Sequence, residues 1–182
     1  MKGQLLCLPC TVRTAYDIAT KATDDEELQR QVIVEALKWL AANPNVLQTG
    51  SPTVFHTHVF RIAQKITGNT DPFKPLKDFS NETAMRVLPV LEREVRSKDF
   101  KEAFRLATLG TICGNTIDFE VEGHQVNAEN IEGSLVNCLK GDLAIDEISR
   151  LTDGLSRSRR VLYLMDNAGE IVFDKFFIKV IR

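Results

Sequence analysis

The sequence predicts a mixed α and β protein: a helical region over 1–113, then the first part of an α/β domain over 114–182. Three observations predict it. Helical periodicity with capping residues recurs through the first 113 residues. After Asn115 the texture changes, and Thr116-Ile117-Asp118-Phe119-Glu120-Val121 alternates polar and apolar residues as a half-buried strand or extended connector does. Finally, Val161-Leu162-Tyr163-Leu164-Met165 is a continuous apolar run, the pattern of a strand buried on both faces of a parallel sheet.

The helices follow in order. Over 10–22, Val12, Ala15, Ile18, Ala19 and Ala22 recur on one face. Thr23-Asp24-Asp25 caps a helix to Ala42 whose apolar stripe holds Leu28, Val32, Ala36, Trp39 and Leu40. Asn43-Pro44-Asn45 stops it. Ser51 caps the next helix, with Pro52 in its first turn and Gly68-Asn69 at its end near Thr67. Asp71-Pro72-Phe73-Lys74-Pro75 is a stiff connector. A helix from Ser80-Asn81-Glu82 to about Ser97 carries Pro89, which predicts a kink or break. Asp99–Cys113 is helical and ends at Gly114-Asn115. Asn127 or Asn130 caps a helix to Leu139, Leu143–Leu151 is a short one, and Ile171–Ile181 is apolar on nearly every side.

A buried parallel strand requires neighbours and a crossover to the next strand. The sequence stops at Arg182, where that strand is due, so the chain is expected to be the first part of a longer protein, its sheet incomplete.

Composition narrows the function classes. At 43% hydrophobic and 26% charged the chain is ordinary globular material, and a net charge of -2 offers no basis for nucleic-acid or membrane affinity. Arg157, Arg159 and Arg160 form the densest basic patch, read as a solvated loop. No apolar segment approaches the roughly 18 residues of a membrane span. The N-terminus is too short in its apolar part for a secretory signal, so a cytoplasmic location is expected. Nothing in the pattern specifies an oligomer.

Cys7 and Cys10 form a Cys-x-x-Cys pair, while Cys113 and Cys138 stand alone, and no disulfide framework is expected. The pair reads as packing, as half of a metal site, or as a redox dithiol. His56 and His58 lie two apart on a helix and so cannot share a metal. His124 has no evident partner, and Trp39 belongs to the core.

The richest stretch is Asp166-Asn167-Ala168-Gly169-Glu170, at the carboxyl end of the apolar run. That is where open α/β sheets bind ligands. Asp166 and Asn167 supply hard oxygen donors, and Ala168-Gly169 allows a tight turn into a helix whose N-terminus favours phosphate. Carboxylate, amide oxygen and phosphate seat together point to Mg²⁺ or Mn²⁺ acting on a phosphate ester. The competing reading is a simple turn between strand and helix.

Four motifs together resemble the metal-dependent damage-control phosphatases, a former domain of unknown function that includes acidic-residue methyltransferase-like proteins. They are Cys7-Leu8-Pro9-Cys10, which marks the archaeal and bacterial subfamily; Gly68-Asn69-Thr70-Asp71-Pro72-Phe73 with Lys77; Gly114-Asn115-Thr116-Ile117-Asp118; and Asp166-Asn167-Ala168-Gly169-Glu170-Ile171-Val172-Phe173-Asp174-Lys175.

The resemblance implies a helical N-terminal region packed on the start of a Rossmann-like α/β/α domain. It implies hydrolysis of small phosphorylated metabolites such as sugar phosphates, with Mn²⁺, Ni²⁺, Co²⁺ or Mg²⁺. In that pattern Asp166 and Asn167 are metal ligands, Asp166 and Glu170 are catalytic, and Asp166, Asn167, Gly169, Asn115 and Asp118 approach the substrate. A third acidic ligand and the remaining elements fall beyond Arg182. An S-adenosylmethionine-dependent carboxyl methyltransferase and a non-catalytic fragment are the alternatives; the absence of a Gly-x-Gly-x-x-Gly fingerprint weighs against the first.

Overall fold

The computed structural model describes residues 3–46, 50–115 and 131–182. All regular structure among them is helical, in two compact units, Met1–Lys74 and Pro75–Arg182. The division at 113/114 rests on sequence texture; these units rest on packing.

In the first unit, α1 (Cys7–Ala22), α2 (Glu26–Ala42) and α3 (Pro52–Thr67) pack pairwise on one another. Their apolar stripes meet in a small-residue core: Ala15, Ile18 and Ala19 from α1, Val32 and Ala36 from α2, Val59 and Ala63 from α3. Small side chains let the three axes approach closely. Asp25 caps α2 by accepting from the amides of Glu27 and Leu28. Gly68 ends α3 at φ 74°, the left-handed C-cap its position predicts. Asn69 then ties the turn back by donating to the carbonyl of Ala22.

In the second unit, α4 (Lys74–Arg96) runs unbroken through Pro89, so the expected break does not occur, and the helix begins six residues earlier than Ser80. It is followed by α5 (Phe100–Gly114), α6 (Ile131–Leu139), α7 (Ile148–Arg157) and α8 (Glu170–Val180). Asp99 caps α5 through the amide of Glu102. Ala84, Val87 and Leu91 of α4, Leu106 and Leu109 of α5, Leu135 and Leu139 of α6 and Phe173 of α8 form the main core. A second cluster joins Phe104 and Ala107 to Ile148 and Phe177, with Phe104 and Phe177 edge to face at 5.1 Å.

Two expectations are overturned. The α/β fold class, with its Rossmann-like layer, is not observed: no strand or sheet occurs among the described residues, whose regular structure is all helical. Val161–Met165 is neither helical nor paired, and it is not buried on both faces. Leu162 is 85% exposed and Leu164 82%, whereas Tyr163 between them packs on the Phe177 cluster. An apolar run specifies burial but not which partner supplies it, and a strand exists only with a ladder partner.

The solitary status of Cys113 and Cys138 is likewise corrected. They are joined as a disulfide, with Cα atoms 6.1 Å apart. Packing of α6 against α5 brings together two cysteines 25 residues apart, a proximity that spacing alone cannot reveal. The strand expected at 116–121, His124, Asp118 and the caps at Asn127 and Asn130 lie outside the described residues.

Candidate functional site

The site lies where α5 ends against the start of α8, and its glycines explain the approach. Gly114 is the last residue of α5, and a Cβ there would stand 2.6 Å from the Phe173 ring and 3.2 Å from the Cα of Glu170. The missing side chain lets the two helix ends touch. Gly114 is therefore not a left-handed cap; the capping residue is Asn115, in right-handed helical geometry. Gly169, at φ 82° and ψ −58°, occupies a conformation that side chains resist, and it turns the chain into α8.

Two side-chain amides fasten this corner. The Asn167 Nδ2 donates to Oδ1 of Asn115 at 2.7 Å, across 52 residues of sequence. The Gly169 amide donates to Oδ1 of Asn81, on α4, at 2.8 Å. With its nitrogen committed to Asn115, Asn167 keeps its Oδ1 free of hydrogen bonds among the described residues. Asp166, one residue earlier, is solvent-exposed.

Behind the corner sits a polar pair, one partner buried and the other half-buried. Asp174, one turn into α8, is 2% exposed, and its Oδ1 accepts the Tyr163 hydroxyl at 2.7 Å. Its Oδ2 is buried with no hydrogen-bond partner among the described residues. Burial pushes the Asp174 carboxyl up; the Tyr163 hydrogen bond opposes this, and the nearby charge of Asp166 adds to it. Burial also pushes the Tyr163 phenol up, reinforced by its bond to Asp174 and by the charges of Asp174 and Glu170.

The start of α8 is less open than a bare helix end. The amide of Gly169 is taken by Asn81, that of Ile171 by the Asn167 carbonyl, and that of Val172 by the Gly169 carbonyl. The helix dipole still favours an anion there, but the amide donors are largely committed.

No three His, Cys, Asp or Glu side chains are arranged to hold a metal among the described residues. The donor chemistry nevertheless suits a hard divalent ion, which takes carboxylate, amide oxygen and water. Asp166 and Asn167 are adjacent in sequence, the Asn167 Oδ1 is available, and the orphaned Oδ2 of Asp174 belongs to a carboxylate that senses the charge of Asp166.

Of the expected site residues, the structure brings Asn115, Asp166, Asn167, Gly169 and Glu170 to one corner of the second unit. Asp118 lies outside the described residues. Cys7 and Cys10 belong to the first unit, in the opening turn of α1. Sequence reasoning missed Asn81, Tyr163 and Asp174. Asn81 carries no local signal, since its partner is 88 residues away. Asp174 does carry one: a lone acid set among Val172, Phe173, Phe176 and Phe177, on a helix that demands burial.

Residues 5–182 match the family model of the damage-control phosphatase ARMT1-like domain, and the chain belongs to that family. It is 36% identical to a damage-control phosphatase of Archaeoglobus fulgidus and 34% identical to one of Pyrococcus horikoshii, each match spanning 100% of this chain. The matches cover 61% and 60% of those relatives, so this chain spans about three-fifths of their length. It also resembles the crystal structure of a DUF89 family protein from Pyrococcus horikoshii, with a TM-score of 0.80 and 34% identity over 100% of this chain and 60% of that one.

No helix among the described residues is long and apolar enough to cross a membrane.

Proposed function

We propose that this chain carries the cation-binding corner of a divalent-metal-dependent phosphatase acting on small phosphorylated metabolites such as sugar phosphates. Membership of the damage-control phosphatase family supports the reaction class. The hydrogen bond from Asn167 to Asn115 carries the cation reading. It holds the Asn167 amide by its nitrogen and leaves the oxygen for another partner, one residue after the exposed carboxylate of Asp166, a constraint that a simple turn does not require.

In this reading Asp166 and the Oδ1 of Asn167 hold Mn²⁺, Ni²⁺, Co²⁺ or Mg²⁺. Such an ion polarises a phosphoryl oxygen and lowers the pKa of bound water. The protein groups then have separable tasks. Asn115 orients Asn167, and Asn81 with Gly169 sets the direction of α8. Glu170, at the first position of α8, stands beside the substrate, where it can orient or deprotonate an attacking water. Asp174, held toward its neutral form and hydrogen-bonded by Tyr163, supports the corner from behind.

Phosphate release from a panel of sugar phosphates, with and without Mn²⁺, tests the proposal. Metal-dependent release that disappears in Asp166→Ala supports it. Undiminished turnover by that variant contradicts it, and so does metal-independent binding of S-adenosylmethionine without phosphate release.

A further inference from the structure

The cysteine pair of the first unit has no part in the phosphatase reading, and its surroundings are specific. Cys7 and Cys10 lie one turn apart at the start of α1, half-exposed and exposed respectively, and both are free thiols. Positions three apart on a helix place their Cα atoms about 5 Å apart, inside the roughly 4.4–6.8 Å that a disulfide spans. The Cys10 Sγ stands 3.8 Å from Nε2 of His56, on α3. Thr14 Oγ1 lies 3.4 Å from the same nitrogen and donates to the Cys10 carbonyl. Thr14 and His56 also line a cleft of about 480 Å³, with Phe60, Arg61, Gln64 and Phe73.

We infer that Cys7, Cys10 and His56 form a thiol–disulfide exchange site for low-molecular-weight disulfides. Exposure and the imidazole contact make Cys10 the attacking thiol. In the tautomer with its hydrogen on Nδ1, His56 accepts the thiol proton at Nε2, and the cleft has room for the organic half of the reactant. The Cys10 sulfur attacks one sulfur of R–S–S–R; a Cys10–S–S–R bond forms, the original S–S bond breaks, and RS⁻ leaves. Cys7 then loses its proton and attacks the Cys10 sulfur, forming the Cys7–Cys10 disulfide and expelling the second RS⁻. The two protein thiols are oxidised by two electrons, and the reactant is reduced to two thiols. His58, two residues from His56, faces elsewhere: it stacks on Trp39 with centroids 4.2 Å apart. It supplies the control position.

The test uses the 182-residue protein, with oxidised glutathione as probe and peptide mapping as readout. Wild type is expected to form a Cys7–Cys10 disulfide, and Cys7→Ser to stop at glutathione attached to Cys10. His56→Gln is expected to slow alkylation of Cys10 by iodoacetamide by roughly 3- to 30-fold at neutral pH and to change its pH profile, while His58→Gln leaves both unchanged. Glutathione attached preferentially to Cys7, or equal alkylation rates in wild type and His56→Gln, overturns the inference. So does a tightly held zinc ion that protects both thiols. None of these outcomes depends on phosphatase activity.

Discussion

The Tyr163 hydroxyl and the Asp174 carboxylate meet at 2.7 Å, joining an otherwise exposed apolar segment to the buried side of α8. This bond anchors the residues leading into Asp166. Tyr163→Phe keeps the ring packing but leaves Asp174 with neither oxygen paired. The expected cost is about 1–3 kcal/mol, measured by urea unfolding. An unchanged midpoint and slope would show that the bond contributes nothing.

Asp174 also gives folding a pH dependence. Its native carboxyl titrates above the ordinary 3.8, because burial disfavours the charge. The native state therefore holds the proton more tightly than the unfolded chain. This contribution is complete below 3.8 and is lost as pH rises through the native value. Asp174→Asn, which stays neutral and still accepts from Tyr163, should gain stability relative to wild type as pH rises from 4 towards 7. Melting temperatures in chelator across that range test the sign, and a constant difference would contradict it.

The close approach of α5 and α8 should tolerate no side chain at its glycine. In Gly114→Ala the new methyl meets a fully buried ring and the backbone of Glu170. Overpacking of this kind costs about 1–3 kcal/mol. The variant is expected to lose Mn²⁺ affinity as well, because Asn115 moves with the helix end. Gly154→Ala, in mid-helix with open space around it, is the control: it should leave Mn²⁺ affinity unchanged and raise stability by about 0.5–1 kcal/mol.

Asn115 is expected to act through Asn167. Asn115→Ala removes the acceptor that fixes the amide, and loss of such an orienting partner weakens metal affinity by about 10- to 100-fold. Calorimetric titration with Mn²⁺ reads this directly. An unchanged affinity would separate Asn115 from the site.

These tests rest on relationships that the sequence revealed unevenly. Helices were legible wherever caps and stripes coincided, as at Asp25 with Val32 and Ala36, because those signals are local. The span 161–165 was misread, since Leu162 and Leu164 have the composition of buried strand residues and composition names no partner. The corner at 166–170 was legible from the clustering of acid, amide and glycine. What holds it was not: Asn81 and Asn115 reach it across 88 and 52 residues. The Cys113–Cys138 bond was hidden for the same reason.

Asp166 and Asn167 would together hold the divalent ion of the proposed function, and titration calorimetry with Mn²⁺ tests this most directly. One equivalent should bind wild type, and Asp166→Ala should lose that binding while keeping the wild-type melting temperature. Equal binding by the two proteins, or no heat from a folded wild type at millimolar Mn²⁺, would contradict it.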